Sequence, residues 1–199
     1  MGFAILIAGL ALFIAAHVFV TQRAARAGVI ARIGTGAYRA IFSVAAIAAL
    51  AMIVFGFGRY RATGWIDVWD PPLWTRYVAA VLMWFALVSA VAAFMPGRIR
   101  DRLRHPLLVG VKLWALAHLV SNGDLGSIVL FGAILVWAAY DRISLKRRGE
   151  AGIPPIVAPG PANDGIVVLI GTIIFLAVGY VFHPLWIGVP VFGTPALGT

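Results

Sequence analysis

Apolar runs of close to twenty residues recur along the whole chain, and they constrain its fold more than any other feature. Hydrophobic residues make up 62% of the 199 residues, and charged residues only 12%. A water-soluble domain of this length needs a polar exterior, which this composition cannot supply. A helix needs about 20 apolar residues to cross the hydrocarbon core of a bilayer. The sequence therefore predicts an all-α, polytopic transmembrane helical bundle with no room for a sizeable soluble domain.

The apolar runs predict six spans within one integral membrane domain that covers the whole chain. The spans lie near residues 3–20, 40–57, 74–94, 106–120, 127–140 and 166–187. The fourth and fifth are short, and the turn sequence Ser121-Asn122-Gly123-Asp124 joins them. We expect a tight helical hairpin here, with Asn122 and Asp124 capping the turn. Residues 149–165 are rich in proline, which interrupts a helix, and are expected to form a surface linker.

The basic residues lie mostly in alternate connections between the predicted spans. They cluster after spans one, three and five, at Arg23, Arg26, Arg32, Arg39, Arg98, Arg100, Arg102, Arg104, Arg142, Lys146, Arg147 and Arg148. Short cytoplasmic loops of membrane proteins carry such an excess of Lys and Arg. The pattern predicts a multi-pass protein of the bacterial inner membrane with both termini in the periplasm. Its net charge of +9 is thereby explained without nucleic-acid binding, and the lipid bilayer is the expected partner.

Two of the four histidines, His17 and His118, fall within predicted spans. An ionisable side chain in a membrane span is costly and commonly marks a functional site. The other two, His105 and His183, each precede a proline near the end of a span, and either one alone suits an interfacial position.

Helical spacing places His118 on one face with Gly110, Trp114 and Ser121. That face combines a small residue, an aromatic wall, an imidazole and a hydroxyl. It fits an inter-helix hydrogen bond, and it equally fits axial ligation of a cofactor with a hydroxyl supporting the ligand.

The residue types narrow the choice of cofactor. The chain has no cysteine, which excludes thiolate metal sites and a covalent c-type haem. No Asp or Glu lies within a span, so a carboxylate-bridged di-iron site is unsupported. Zinc needs three or four ligands in one place. Two neutral imidazoles from different helices suit haem b, whose other iron ligands come from the porphyrin.

Three segments resemble the NnrU family of bacterial membrane proteins. They are HPLLVGVKLWALAHLVSNGDLGSIVLFG from His105, the basic stretch DRISLKRR, and the late HPLWIGV. The family takes its name from genes associated with denitrification. It is also similar to the plant 15-cis-zeta-carotene isomerase, a membrane enzyme with haem b that isomerises a cis double bond of a polyene. By motif position, the resemblance implies haem b with His17 and His118 as axial iron ligands.

The predicted depths of the histidines leave other pairings open. His17 lies toward the cytoplasmic end of span one and His118 toward the outer part of span four, a difference of about 10–15 Å along the helix axes. Depth alone would pair His17 with His105, and His118 with His183. These two pairs stand beside the pair that the resemblance implies.

Two functions of different classes follow from this reading. The first is a haem-dependent isomerase or redox enzyme that acts on a small lipophilic or nitrogen-oxide ligand. The alternative is a non-enzymatic membrane partner that assists assembly of a respiratory complex, with structural histidines.

Overall fold

A computed structural model describes residues 1–150 and 153–192, and the described chain is almost entirely helical. Its helices are α1 (Gly2–Thr21), α2 (Arg23–Thr63), α3 (Trp74–Ala92), α4 (Arg98–Leu103), α5 (Pro106–Ser121), α6 (Leu125–Arg148) and α7 (Asn163–Ala177), and a π-helix (Val178–Ile187) continues α7. The predicted all-α fold of a polytopic membrane protein is confirmed.

Five helices of the described chain are long and apolar enough to cross a membrane, and a sixth apolar helix is shorter. The five are α1, α2, α3, α6 and α7 with its π-helical continuation. Helix α5 has 16 residues. At the α-helical rise this is about 24 Å, against a hydrocarbon core of about 30 Å. The predicted fourth span is therefore present as an apolar helix, and it is short as expected.

Two helices run beyond the predicted spans, because polar residues can extend a helix without breaking it. The connection expected after span one is mostly helical, since α2 runs for 41 residues from Arg23. Gly34, with φ +82° and ψ 158°, interrupts α2 with a kink. The fifth span was predicted from a short apolar run, and α6 has 24 residues because the helix continues through its basic end to Arg148. Gly149 follows in a positive-φ conformation that ends the helix.

The chain forms two compact units. The first unit comprises Met1–Asp70 and Asn122–Ser144, and the second comprises Pro71–Ser121 and Leu145–Thr199. Helices α5 and α6 belong mainly to different units, so the predicted hairpin between them stays a prediction. The expected capping role of Asp124 is confirmed, because its Oδ1 accepts a hydrogen bond from the Ser127 amide at 2.9 Å.

In the first unit, α1 packs closely along α2 because glycines bring the two backbones together. A Cβ atom added at Gly9 would lie 2.9 Å from the Ile53 nitrogen, and one at Gly56 would lie 2.4 Å from the Leu6 nitrogen. Small residues at such crossings are the usual way for membrane helices to gain van der Waals contact.

Tyr60 joins the helices of the first unit at one end. Its side chain is 1% exposed, its ring faces Phe3, and its hydroxyl hydrogen bonds with the backbone of Ile66. The ring lies against Gly126 of α6, where an added Cβ would meet it at 2.2 Å. Backbone hydrogen bonds from Val68 and Trp69 to the Gly123 carbonyl tie the adjacent loop to the start of α6.

In the second unit, α3 is central and packs against both α5 and α7. Gly110 of α5 faces the Ala86 carbonyl, and Gly171 of α7 faces Val88. The indole of Trp84 donates a hydrogen bond to the Thr172 hydroxyl at 2.9 Å. Val88, Ala92 and Val167 form the buried cluster at this contact.

The proline-rich connection before α7 is attached to the corner between α3 and α4. The amide of Ile156 donates to the Phe94 carbonyl at 2.9 Å, and the Asn163 side chain donates to the Pro96 and Ala158 carbonyls. The carboxylate of Asp164 accepts hydrogen bonds from the first amides of α4, those of Arg98 and Ile99, each at 3.1 Å. Residues 151 and 152 of the expected linker lie outside the described residues, and α7 begins at Asn163, three residues before the predicted span.

Replacing Gly126 with Ala should destabilise the protein, because the new methyl group would overlap the buried ring of Tyr60. Overpacking of this kind costs about 1–3 kcal/mol. Gly132→Ala in the same helix is the control, since an added Cβ there meets nothing within 4 Å. Thermal unfolding of the detergent-purified variants measures the difference. Equal melting temperatures for the two variants would contradict the described packing of Tyr60.

Candidate functional site

His17 lies in an aromatic cluster of the first unit. Its ring stacks on Phe13 with the centroids 4.0 Å apart, and it meets the rings of Phe42 and Trp137 edge-on at 5.3 and 5.1 Å. Its Nδ1 lies 2.8 Å from the Phe13 carbonyl oxygen, one turn earlier in α1. Because a carbonyl can only accept, Nδ1 carries the proton and the neutral ring keeps its lone pair on Nε2.

An apolar groove of about 410 Å³ borders this cluster and runs between α1 and α6. Its lining consists of Ile14, Val18, Gly132, Ala133, Val136, Trp137 and Tyr140. No feature of the sequence predicts this groove. Trp137 contacts both the groove and His17, but an aromatic residue inside an apolar run carries no signal of such a role.

His118 of the second unit repeats the hydrogen bond of His17. Its Nδ1 donates to the Trp114 carbonyl at 2.8 Å, one turn earlier in α5, and the two rings lie 5.2 Å apart. The expected shared face of Trp114 and His118 is thus present. The hydrogen bond that orients the imidazole therefore comes from the Trp114 carbonyl and not from the Ser121 hydroxyl, as was expected. The Ser121 hydroxyl donates instead to the Ala117 carbonyl at 2.8 Å. Neutral His118 accordingly carries its lone pair on Nε2.

His183 lies in the π-helix, and its ring is close to that of His118. The two ring centroids are 6.2 Å apart, with 34° between the ring planes. Pro184 lies inside the π-helix, and its missing amide removes a helical hydrogen bond. The segment ends at Gly188, which has φ +74° and whose amide donates to the His183 carbonyl. Short π-helical stretches frequently occur at functional sites.

His105 immediately precedes α5 and follows a strained turn. Arg104 has φ +61° and ψ −47°, and the His105 amide donates to the Leu103 carbonyl at 2.7 Å. This is a γ-turn with positive φ at its central residue, a rare and strained form. The turn buries His105, which is 6% exposed, immediately before Pro106. Since His118 lies near the other end of the same helix, His105 is not part of the His118 site.

The structure thus brings together two of the four candidate histidines, His118 and His183, within the second unit. His17 belongs to the first unit, so the pairs His17–His118 and His17–His105 stay predictions. Among residues 1–150 and 153–192, no three or more His, Cys, Asp or Glu side chains form a metal-binding group. A site built on two imidazoles fits a cofactor that brings its own remaining ligands, as haem does.

These features define a polytopic α-helical membrane protein whose ionisable side chains include histidines within its apolar helices. A family model described as NnrU protein matches residues 5–191. The chain therefore belongs to the NnrU family. No curated protein and no solved structure shows significant similarity to it.

Because of the γ-turn at Arg104, we expect glycine at this position to make the protein more stable than alanine does. A positive φ costs a residue with a Cβ atom about 1–2 kcal/mol, so Arg104→Gly should be about 1 kcal/mol more stable than Arg104→Ala. At Arg102, inside α4, the order should reverse, because glycine weakens a helix by roughly 0.5–1 kcal/mol relative to alanine. Thermal unfolding of the four variants tests this reversal. The same order at both positions would rule out the strained turn.

Proposed function

We propose that the protein binds haem b within the membrane, with His118 and His183 as the axial ligands of the iron. The separation of the two rings carries the proposal. Metal bonds to imidazole nitrogen are about 2 Å long, so a metal held between two imidazoles places their ring centroids about 6 Å apart. The observed distance of 6.2 Å agrees with that value. The two rings come from different helical segments, as a bis-imidazole haem site requires.

The surrounding residues prepare His118 for ligation. The Trp114 carbonyl holds the proton on Nδ1, which leaves Nε2 as the ligating atom and fixes the direction of the ring. Hydrogen bonds of this kind commonly orient histidine ligands and raise their basicity. Close packing of Gly110 on the Ala86 carbonyl anchors α5 against α3, so the ligand stands on a rigid element.

When bound, haem b would supply reversible one-electron chemistry, and release of one imidazole would free a coordination position on the iron for a ligand. We propose redox-linked chemistry on a nitrogen oxide, or cis–trans isomerisation of a lipophilic polyene. Membership of the NnrU family supports the first substrate class. The resemblance to the plant carotene isomerase supports the second. In both cases the protein's part is to hold His118 in place and keep the surroundings apolar.

His17 is the competing second ligand, because the resemblance to the isomerase implies it. Its Nδ1 makes the same bond to the preceding turn that His118 makes, so it also presents Nε2. The two assignments share His118 and differ in its partner. Variants of the partner histidines therefore distinguish them.

Visible spectra of the detergent-purified protein, oxidised and reduced, test the haem and its ligands. Protein produced with adequate haem should show a low-spin b-type spectrum with about one haem per chain by pyridine haemochrome assay. His118→Ala should lose most of the haem. His183→Ala should retain haem in a high-spin form, because this variant lacks one of the two imidazole ligands. His17→Ala should keep the low-spin spectrum.

The other outcomes decide between the alternatives. A low-spin spectrum in His183→Ala, with loss in His17→Ala, would replace His183 by His17 as the second ligand. A colourless wild-type protein, despite adequate haem, would overturn the proposal and favour a membrane partner of respiratory-complex assembly. In that case the histidines would serve as hydrogen-bonding residues within the helices.

We likewise propose that the protein lies in a bacterial inner membrane with both termini in the periplasm. Its support is the clustering of arginines after the first, third and fifth predicted spans. The absence of cysteine from the sequence makes single-cysteine labelling free of background.

A membrane-impermeant maleimide applied to spheroplasts should label Asp70→Cys and leave Arg102→Cys unlabelled. Both residues are exposed, and the proposed topology places them on opposite sides of the membrane. Lysis should make Arg102→Cys reactive, which controls for its accessibility. Labelling of Arg102→Cys in intact spheroplasts, with Asp70→Cys protected, would reverse the orientation.

A further inference from the structure

The apolar groove between α1 and α6 has the shape and lining of a lipid-chain site. It is a surface groove of about 410 Å³, within the range of small-molecule sites. Gly132 and Ala133 create the hollow, because an added Cβ at Gly132 would meet nothing within 4 Å. Both helices are long and apolar enough to cross a membrane, and hydrocarbon chains are the occupants that suit such a lining.

One end of the groove is polar. The Tyr140 and Thr21 hydroxyls lie 3.1 Å apart, and Thr21 donates to the Val18 carbonyl at 2.7 Å. Because Thr21 has only one hydroxyl proton, Tyr140 donates to Thr21 and keeps acceptor capacity. Helix α1 ends at Thr21, and charged residues begin in α6 directly after Tyr140. This end of the groove therefore coincides with the boundary between apolar and charged sequence.

Arginines follow α1 at this boundary. Arg23 lies two residues after Thr21 and begins α2, whereas Arg142, two residues after Tyr140, lies on another face of α6. Arg26 follows in the first turn of α2, with its guanidinium 5.5 Å from the centre of the Tyr38 ring. No Asp or Glu occurs in residues 1–66, and Asp141 is the carboxylate in the neighbouring part of α6. The sequence around the polar end thus has an excess of positive charge.

We propose that this groove is a binding site for one anionic phospholipid of the surrounding bilayer. An acyl chain lies along Ile14, Val18 and Val136, and the phosphate group lies beyond Tyr140, near Arg23. Charge complementarity selects an anionic lipid, since arginines attract phosphate and each one near a membrane surface adds about 1 kcal/mol. The groove and its charges belong to the first unit, so this proposal is independent of haem binding at His118.

Native mass spectrometry of the delipidated full-length protein tests the site. Phosphatidylglycerol and phosphatidylcholine with identical acyl chains are added separately, and the bound molecules are counted. The wild type should bind one phosphatidylglycerol at least about fivefold more tightly than phosphatidylcholine. Gly132→Leu should abolish this binding by filling the groove. Gly58→Leu, at another helical glycine with open space around its Cβ position, should leave it unchanged.

A second pair of variants tests the headgroup. Arg23→Gln, at the start of α2, should reduce phosphatidylglycerol binding to the level of phosphatidylcholine, while Arg59→Gln, at the opposite end of α2, should not. Equal binding of both lipids to the wild type would overturn the proposal, as would undiminished binding to Gly132→Leu or an equal loss in Gly58→Leu. If Gly132→Leu fails to fold, the two arginine variants decide the question alone.

Discussion

Hydrocarbon offers no hydrogen-bonding partner, and the placement of several polar side chains in the apolar helices follows from this constraint. A polar group that loses water without gaining a partner costs several kcal/mol, so side-chain donors within a span turn to carbonyls of their own helix. His17, His118 and Ser121 each hydrogen bond to the carbonyl four residues earlier. The consequence for the imidazoles goes beyond stability. The same bond that satisfies Nδ1 directs Nε2 away from the backbone, where a metal or a neighbouring group can meet it.

The same constraint explains which parts of the fold could be predicted from sequence. Apolar length and charge position depend on transfer of side chains between water and lipid, so α1, α3 and α7 begin within three residues of the predicted spans. Helix ends in polar surroundings obey other rules. Alanines and arginines favour helix as much as many apolar residues do, and α2 and α6 therefore extend through segments whose charge suggested loops. Gly34 interrupts α2 and Gly149 follows the last residue of α6, both with positive φ.

The candidate site was predictable in its residue types and less so in its geometry. The cost of placing an imidazole in a span identified His17 and His118, and the depth argument proposed His118 with His183 as one of its two pairs. The 6.2 Å separation of those rings depends on the π-helix, whose register the sequence indicates only through Pro184. The cluster of Phe13, Phe42 and Trp137 around His17 depends on which faces of three helices meet. Apolar side chains have similar hydropathy, so no periodicity in the sequence could show which of them surround His17.

Glycines have two different roles in this molecule. Some allow a neighbouring group to pack closely, and one leaves space that a bound molecule can fill. At Gly9 and Gly56 the missing side chain admits a neighbouring backbone, and at Gly126 it admits the ring of Tyr60. At Gly132 it admits nothing from the described protein, and the space becomes part of the groove beside α1. Within α6, the space at Gly126 is thus occupied by the ring of Tyr60, and the space at Gly132, six residues later, is open. Because a void in contact with the bilayer is filled by lipid chains, the second kind marks a place where the surrounding membrane completes the packing.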